Sequence, residues 1–445
     1  MPHQETEQFL ARLFRAGLRV SAKDEQLRIS GAKGAMTPEL ADEIKQRKTD
    51  VLMFLSEQSV NPAPDRIPCL KSAEPPLSQA QTRLWIIEQM NWGQPIHNIS
   101  FTIEARGSLD VDAVQYALDA IVQRHAVLRT RISSTAGVAT QSVNPEVSVP
   151  IRRIDARSMD ENEIRHRLSE LTTETFDLSC QAPLRLVICE REPDQWLLVF
   201  TLHHIAGDGG SIELLIGKFS ALYAQGSAAE LPNLPLQYGD FAAWQNTRPE
   251  TAARDKFWQQ ELGQDIPVTQ LTTDYPRPPI RSGAGAIQAV LVDAETTSAL
   301  QQLAREQGAS LFATMFAAFN ILLSRYTGQG DLIVGTPTAN RPDETERLIG
   351  LFVNPLPVRS RVDMNADFRT NLAAFKDHLW QVLEHQDIPF ETLVDRFVPA
   401  RDPSITPLFQ VKFQLDTARQ ERIRLPGVDL KVLPRNGGIA HHDLS

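Results

Sequence analysis

The stretch Leu202–Ser211, LHHIAGDGGS, closes one pattern and opens another. Before it, DQWLLVFTLHH reads as a strand that delivers His203 and His204 at its end. After it, SIELLIGKFSALYA reads as a helix. Successive strand residues point to opposite faces, so only one of the two histidines can face a given cavity. Gly207, Gly209 and Gly210 permit the turn and leave room for a ligand chain to approach. An imidazole is the natural side chain for taking a proton near neutral pH. Asp208 can orient that imidazole or lock the loop through a salt bridge. His203, His204 and Asp208 make a poor metal set, because adjacent strand histidines diverge and the sequence shows no further ligand cluster. Adjacent histidines also occur as ordinary packing residues, and the local chemistry leaves these roles open.

The 445 residues exceed what one core holds, so two or three packed units are expected. Three cysteines, Cys69, Cys180 and Cys189, share no metal-ligand spacing. That usage argues against a disulfide framework and fits a reducing, cytoplasmic setting. No run approaches the length of a membrane span, and MPHQETEQFL lacks the order of a signal peptide. The formal charge is −10, while residues 1–58 balance nine Lys/Arg against nine Asp/Glu. An acidic body disfavours nucleic acid, whose binding rests on phosphate neutralisation.

Residues 4–17 place Phe9, Leu10, Leu13 and Phe14 on one helical face. Leu18–Ser21 and Gln26–Ser30 then alternate as a hairpin. Thr37-Pro38 starts a helix to about Gln46, and another runs to about Ser56, burying Val51, Leu52 and Leu55. Residues 1–58 therefore form a miniature α-β-β-α-α unit whose small core invites self-association or a partner. SVNPAPDRIPCLKSAEPP, residues 59–76 with five prolines, supplies the linker, placed at 59–75. Helical patterns follow at 78–90, 111–125, 161–173, 211–224, 294–306, 311–326 and 371–384. Strand-like runs lie at 99–103, 184–190, 196–203, 286–292, 332–336 and 409–414. This alternation predicts α/β (α+β) layering. GIAHHDLS at the end reads as a strand that starts and is cut off, so a fragment boundary is expected there.

LHHIAGDGGS resembles the HHxxxDG motif of nonribosomal peptide synthetase condensation domains, and six further stretches resemble that family's motifs in order. They are LSQAQTRLWIIEQM (77–90), RHAVLRTRI (124–132), YGDFAAWQ (238–245), IGLFVNPLPVR (349–359), HQDIPFETLV (385–394) and RDPSITPLFQVKF (401–413). Two departures stand out: Ala126 replaces a usual glutamate, and Gly210 a common tryptophan. Residues 1–58 resemble a tubulysin-type docking domain.

The resemblance implies two chloramphenicol-acetyltransferase-like lobes in a V, an N-lobe over 76–250 and a C-lobe over 251–445 that stops short. It implies amide formation between a donor acyl or peptidyl thioester and the amine of an aminoacyl thioester. Both arrive on the phosphopantetheine arms of carrier proteins, with no cofactor or metal held by the chain itself. His204 is implied as the catalytic residue, with His203 as packing or loop support and Gly209 lending a backbone N–H. Asp208 is implied as a structural anchor to Arg341. Arg124, His125, Arg129, His385, Asp387 and Phe390 read as architecture, Trp85 and Trp244 as core, and His441 and His442 as incidental. Expected partners are two carrier proteins, a downstream adenylation domain, and an upstream synthetase tail at the hairpin edge, Arg19, Val20, Arg28 and Ile29. A docking-domain homodimer is a further option. An epimerising domain and a non-catalytic recruitment platform are the alternatives.

Overall fold

The computed structural model describes residues 9, 13, 18–23, 26–31, 38–48, 50–52, 66–90, 95–135, 137–248, 252–263, 265–400, 402–416, 425–433 and 440–445. At the N-terminus, β1 (Leu18–Lys23) and β2 (Gln26–Gly31) pair antiparallel, followed by α1 (Pro38–Gln46). Phe9, Leu13, Leu18, Ile44 and Val51 form a separate small core. Leu10, Phe14 and Leu55 of the expected apolar faces lie outside the described residues.

Residues 59–65 of the proline-rich stretch also lie outside them. From Arg66 the chain is extended and tied to the body. The Ile67 N–H donates to Glu344, the Leu70 N–H donates to Asp240 at 2.8 Å, and Pro75 packs on Gly239. The second half of the expected linker is thus a strap across both lobes.

The first lobe begins with α2 (Gln79–Met90), β3 (Asn98–Gly107) and α3 (Val111–Arg124). The hairpin β4 (Thr130–Thr135) and β5 (Val138–Val143) follows, then β6 (Ile151–Asp155) and α4 (Glu161–Thr172). The central strands are β7 (Leu184–Glu192) and β8 (Gln195–His203), leading to α5 (Gly209–Gln225) and α6 (Tyr238–Thr247). β8 is buried over seven consecutive residues because both its faces are covered, which is why LLVFTLH is continuous rather than alternating in polarity. Phe101 and Phe200 face each other across β3 and β8 with ring centroids 5.0 Å apart.

The second lobe contains α7 (Ala252–Leu262), α8 (Ala294–Glu306), α9 (Leu311–Thr327), β9 (Asp331–Thr338) and β10 (Asn354–Arg361). It continues with α10 (Phe368–Glu384), α11 (Phe390–Phe397) and the short β11 (Val411–Lys412). The sheet order is β10-β9-β11, backed by a core that includes the fully buried Trp258. No single helix among the described residues is long and apolar enough to cross a membrane.

Three results depart from the sequence reading. The run 286–292 forms no strand, and Val290 and Leu291 are 83% and 94% exposed. A β-prone segment without a neighbouring ladder gains nothing from its propensity, and no described strand pairs with it. Second, β12 (Val428–Leu433), inside the segment assigned to the C-lobe, pairs antiparallel with β3. The first-lobe sheet therefore runs β12-β3-β8-β7-β6, and the chain returns to the first lobe near its end. Third, the final described residues form no full strand and join the edge of the second sheet through a parallel bridge, Val411 to Leu444, with the Asp443 N–H donating to the Gln410 carbonyl.

Candidate functional site between the lobes

β8 ends at His203, which is buried, and the chain turns through a single 3₁₀ turn, His204–Ala206, into α5. The two histidines part as strand alternation requires. The His203 ring packs edge-on to Phe176, with centroids 5.8 Å apart. His204 is half-buried, and its Nδ1 lies 2.9 Å from the Gly207 carbonyl. A carbonyl only accepts, so Nδ1 carries the proton and Nε2 keeps a free lone pair. Burial pushes the His204 pKa below its ordinary value, against the pull of the Gly207 carbonyl and the Asp208 charge. His204 is therefore neutral at neutral pH, with Nε2 basic.

Asp208 does not orient His204. It caps α5 and is fully occupied elsewhere. Oδ1 accepts from the Ser211 N–H at 2.9 Å, the Ser211 hydroxyl at 2.8 Å and Arg341 Nη2 at 3.0 Å. Oδ2 accepts from the Phe352 and Val353 N–H groups at 2.9 and 3.1 Å. Arg341 in turn donates to the Thr345 and Leu348 carbonyls and covers the Phe352 ring at 4.0 Å. A carboxylate from the first lobe is thus wired to a guanidinium and two backbone amides of the second.

The stretches around this pair serve the same junction. Gly350 lies under Tyr238, where a Cβ would sit 2.0 Å from the ring. The Tyr238 hydroxyl donates to the Leu351 carbonyl at 2.7 Å and lies 2.8 Å from Ser78. Leu348, Ile349, Leu351 and Phe352 are sequence of the second lobe but pack into the first-lobe core. His125 Nδ1 accepts the Ile349 N–H, and burial drives the His125 pKa to about 3. Asp387 pairs with Arg248 and Arg254, while Phe390 is buried in the second core. Trp244 and Trp85 pack against the first-lobe core.

Gly209 is exposed with open space around it, and Gly210 faces the Arg341 guanidinium. Being the first two residues of α5, their N–H groups have no intrahelical acceptor. In the N-terminal unit, Arg19 pairs with Ser30, Val20 with Ile29, and Ser21 with Arg28. Ile29 is exposed there, whereas the side chains of Arg19, Val20 and Arg28 lie outside those described.

Sequence reasoning missed Glu88 and His97. His97 Nδ1 lies 2.7 Å from Glu88 Oε2, and His203 Nε2 lies 3.7 Å from the same oxygen. Burial alone would raise the Glu88 carboxyl, but the His203 and His97 imidazoles outweigh it and hold the pKa at about 2. The available signal was Gln81 and Glu88, polar residues seven apart on one helical face, a spacing of two turns. His441 and His442 are not incidental either. The His441 ring stacks on His97 with centroids 6.3 Å apart, and His442 stacks on Phe409 at 5.2 Å. Desolvation and neighbouring positive charges lower the His442 pKa to about 3, and the more exposed His441 shifts in the same direction.

Residues 71–444 match the family model for the Condensation domain, and residues 6–57 match the TubC N-terminal docking domain. A linear gramicidin synthase protein of Brevibacillus parabrevis is 38% identical over 376 residues, which is 82% of this chain and 7% of that protein. Chondramide synthase cmdD of Chondromyces crocatus is 37% identical over 364 residues, 79% of this chain and 9% of its own. The chain thus spans less than a tenth of the length of these curated relatives. The X-domain in complex with OxyB from teicoplanin biosynthesis superposes with TM-score 0.75 at 26% identity, covering 84% of each chain. The first condensation domain of the calcium-dependent antibiotic synthetase, bound to a substrate analogue, gives 0.68 at 18% identity over 83% of this chain and 86% of its own. Two lobes clasped at an HHxxxDG turn, and matches that run nearly end to end, lead to one conclusion: this chain belongs to the condensation-domain family of nonribosomal peptide synthetases and carries a TubC-type docking domain at its N-terminus.

Proposed function

We propose that the chain joins a donor acyl or peptidyl thioester to the amine of an aminoacyl thioester, with His204 as the catalytic residue. The amine nitrogen attacks the thioester carbonyl carbon and forms a tetrahedral intermediate. His204 Nε2 takes the proton the amine sheds. Collapse breaks the C–S bond, and the leaving thiolate takes a proton, leaving an amide and a free thiol. The observation that carries this reading is the bond from His204 Nδ1 to the Gly207 carbonyl, which fixes the tautomer a base needs. A thioester is already activated and a free amine nucleophilic, so holding them together also contributes to the rate. The N–H groups opening α5 are suited to a developing oxyanion. The phosphopantetheine arms come with two carrier proteins, and the chain itself supplies no cofactor.

In the synthetase that contains this chain, His204→Ala is expected to abolish product between loaded carriers. Product at the wild-type level from that variant would end the reading. A recruitment platform is the second reading, favoured by the likeness to an X-domain seen in complex with OxyB. Absence of amide product from the wild-type chain with both loaded carriers would select it.

The N-terminal unit is read as the receptor for an acidic tail of an upstream synthetase, which adds a strand at the hairpin edge beside Arg19, Val20, Arg28 and Ile29. Titrating the chain with such a tail peptide should move the backbone amide signals of residues 18–31. Unmoved signals there would end the idea.

A further inference from the structure

α2 buries polar side chains deeper than its apolar ones, although Leu84 and Trp85 also pack against the first-lobe core. Its buried residues are Gln81 and Glu88, while Ile86 and Met90 are 47% and 79% exposed. Hiding an amide and a carboxylate while exposing aliphatic side chains carries a desolvation cost that polar partners must offset. Both side chains reach the turn that holds His204. Gln81 Nε2 donates to the Ile205 carbonyl at 3.1 Å, and Glu88 accepts from His97.

The consequences for the turn follow from tautomers. The Ile205 N–H donates to His203 Nδ1 at 3.2 Å, so Nδ1 is a lone pair. Burial pushes the His203 pKa down, so the ring is neutral and its one proton must sit on Nε2. That N–H faces Glu88 Oε2 at 3.7 Å, beyond hydrogen-bond distance, and has no hydrogen-bond partner among the described residues, so the carboxylate acts on it as a nearby buried charge. On its other side the His97 carbonyl accepts the His204 N–H at 2.8 Å, while the His97 ring is tied to the same carboxylate. Glu88, His97 and His203 also meet the mutual spacing of a cation site. The His203 tautomer argues against one, since its Nε2 lone pair is taken by a proton and the 2.7 Å gap between Glu88 and His97 is that of a shared proton.

We propose that Glu88 is a positioning residue for His204: its charge favours the His203 tautomer that the Ile205 N–H selects, it holds His97 in place, and these two histidines hold the backbone on which His204 is presented. The other charged or titratable groups around this network are His441 on His97, Arg185 over Phe176, and Asp208 at the end of the turn.

The inference rests on His204 acting in amide formation, and the tests separate the two. Histidine ¹⁵N spectra of the wild-type chain between pH 6 and 8 should show His203 only as the neutral Nε2–H form. An Nδ1–H form, a mixture or a cation overturns the proposal without any variant. Glu88→Gln preserves shape and removes the charge. At saturating loaded carriers its single-turnover rate should fall about tenfold with KM unchanged, and His203 should become a mixture of tautomers. A loss below threefold, or a larger loss with the His203 spectrum unaltered, overturns the proposal. His204→Ala run alongside reports on the chemistry itself. If it keeps the wild-type rate, the amide-forming reading fails; if it is inactive while Glu88→Gln loses less than threefold, only the positioning role fails.

Discussion

Asp208 and Arg341 meet at 3.0 Å across the two lobes, and both are largely withdrawn from solvent. Removing one side leaves the other charge buried without its counter-ion. Asp208→Ala also leaves the Phe352 and Val353 N–H groups without their acceptor. Asp208→Ala and Arg341→Ala are each expected to cost about 3–5 kcal/mol of stability, the range for breaking a buried pair. In urea denaturation the double variant should cost clearly less than the two singles added together, since the lone buried charge is then gone.

The rate of amide formation should depend on pH through His204. Its pKa lies below the ordinary value of about 6.5, and the neutral ring is the active form. Activity should therefore persist as pH falls through 6.5 and decline only at lower values. A kcat/KM profile for loaded carriers checks this, and an acid limb centred above 6.5 would contradict it.

Stability should fall on acidification from the same region. His125 at about 3 and His442 at about 3 both have folded pKa values below the unfolded one. The unfolded chain then binds protons first, so the stabilisation is whole above about pH 6.5 and drains away toward pH 3. Glu88, at about 2 in the fold, adds a loss of the same sign below about pH 4.5. Urea midpoints measured from pH 8 to pH 4 should decrease continuously below 6.5.

Two glycines should respond unequally to alanine. At Gly350 the new methyl would meet the Tyr238 ring and push on the contact between lobes, costing about 1–3 kcal/mol. At Gly209 nothing lies within 4 Å of the new Cβ, and the position opens a helix, so stability should stay within about 0.5 kcal/mol. Thermal unfolding of the two variants side by side decides the contrast.

The sequence was most legible where periodicity and caps agree. α8 falls on its expected bounds, and α9 runs from the Ser310 cap to a left-handed Gly328. Pattern reading stopped where an element depends on a distant neighbour. The segment 286–292 has strand composition and no ladder, whereas β10, built of NPLPVRSR, is a strand because β9 lies beside it. The turn carrying His203 and His204 was visible as a motif, but its support was not. Glu88 and His97 are nine residues apart in sequence and reach His203 only when β3 and β8 pair Asn98 with His203. A local reading of histidines as fillers had no means of seeing a carboxylate that arrives from another helix.

The return of β12 to β3 also sets a timetable for biosynthesis. Gly107 leaves the ribosome roughly 320 residues before its partner Val428, which at about 5–20 residues per second is on the order of tens of seconds. Through that interval the nascent first lobe carries β3 as an open edge, with its backbone donors and acceptors free to recruit another chain. One face of that edge strand carries Asn98, Ser100, Thr102, Glu104 and Arg106, a polar set that discourages sticking while the closing strand is still being made.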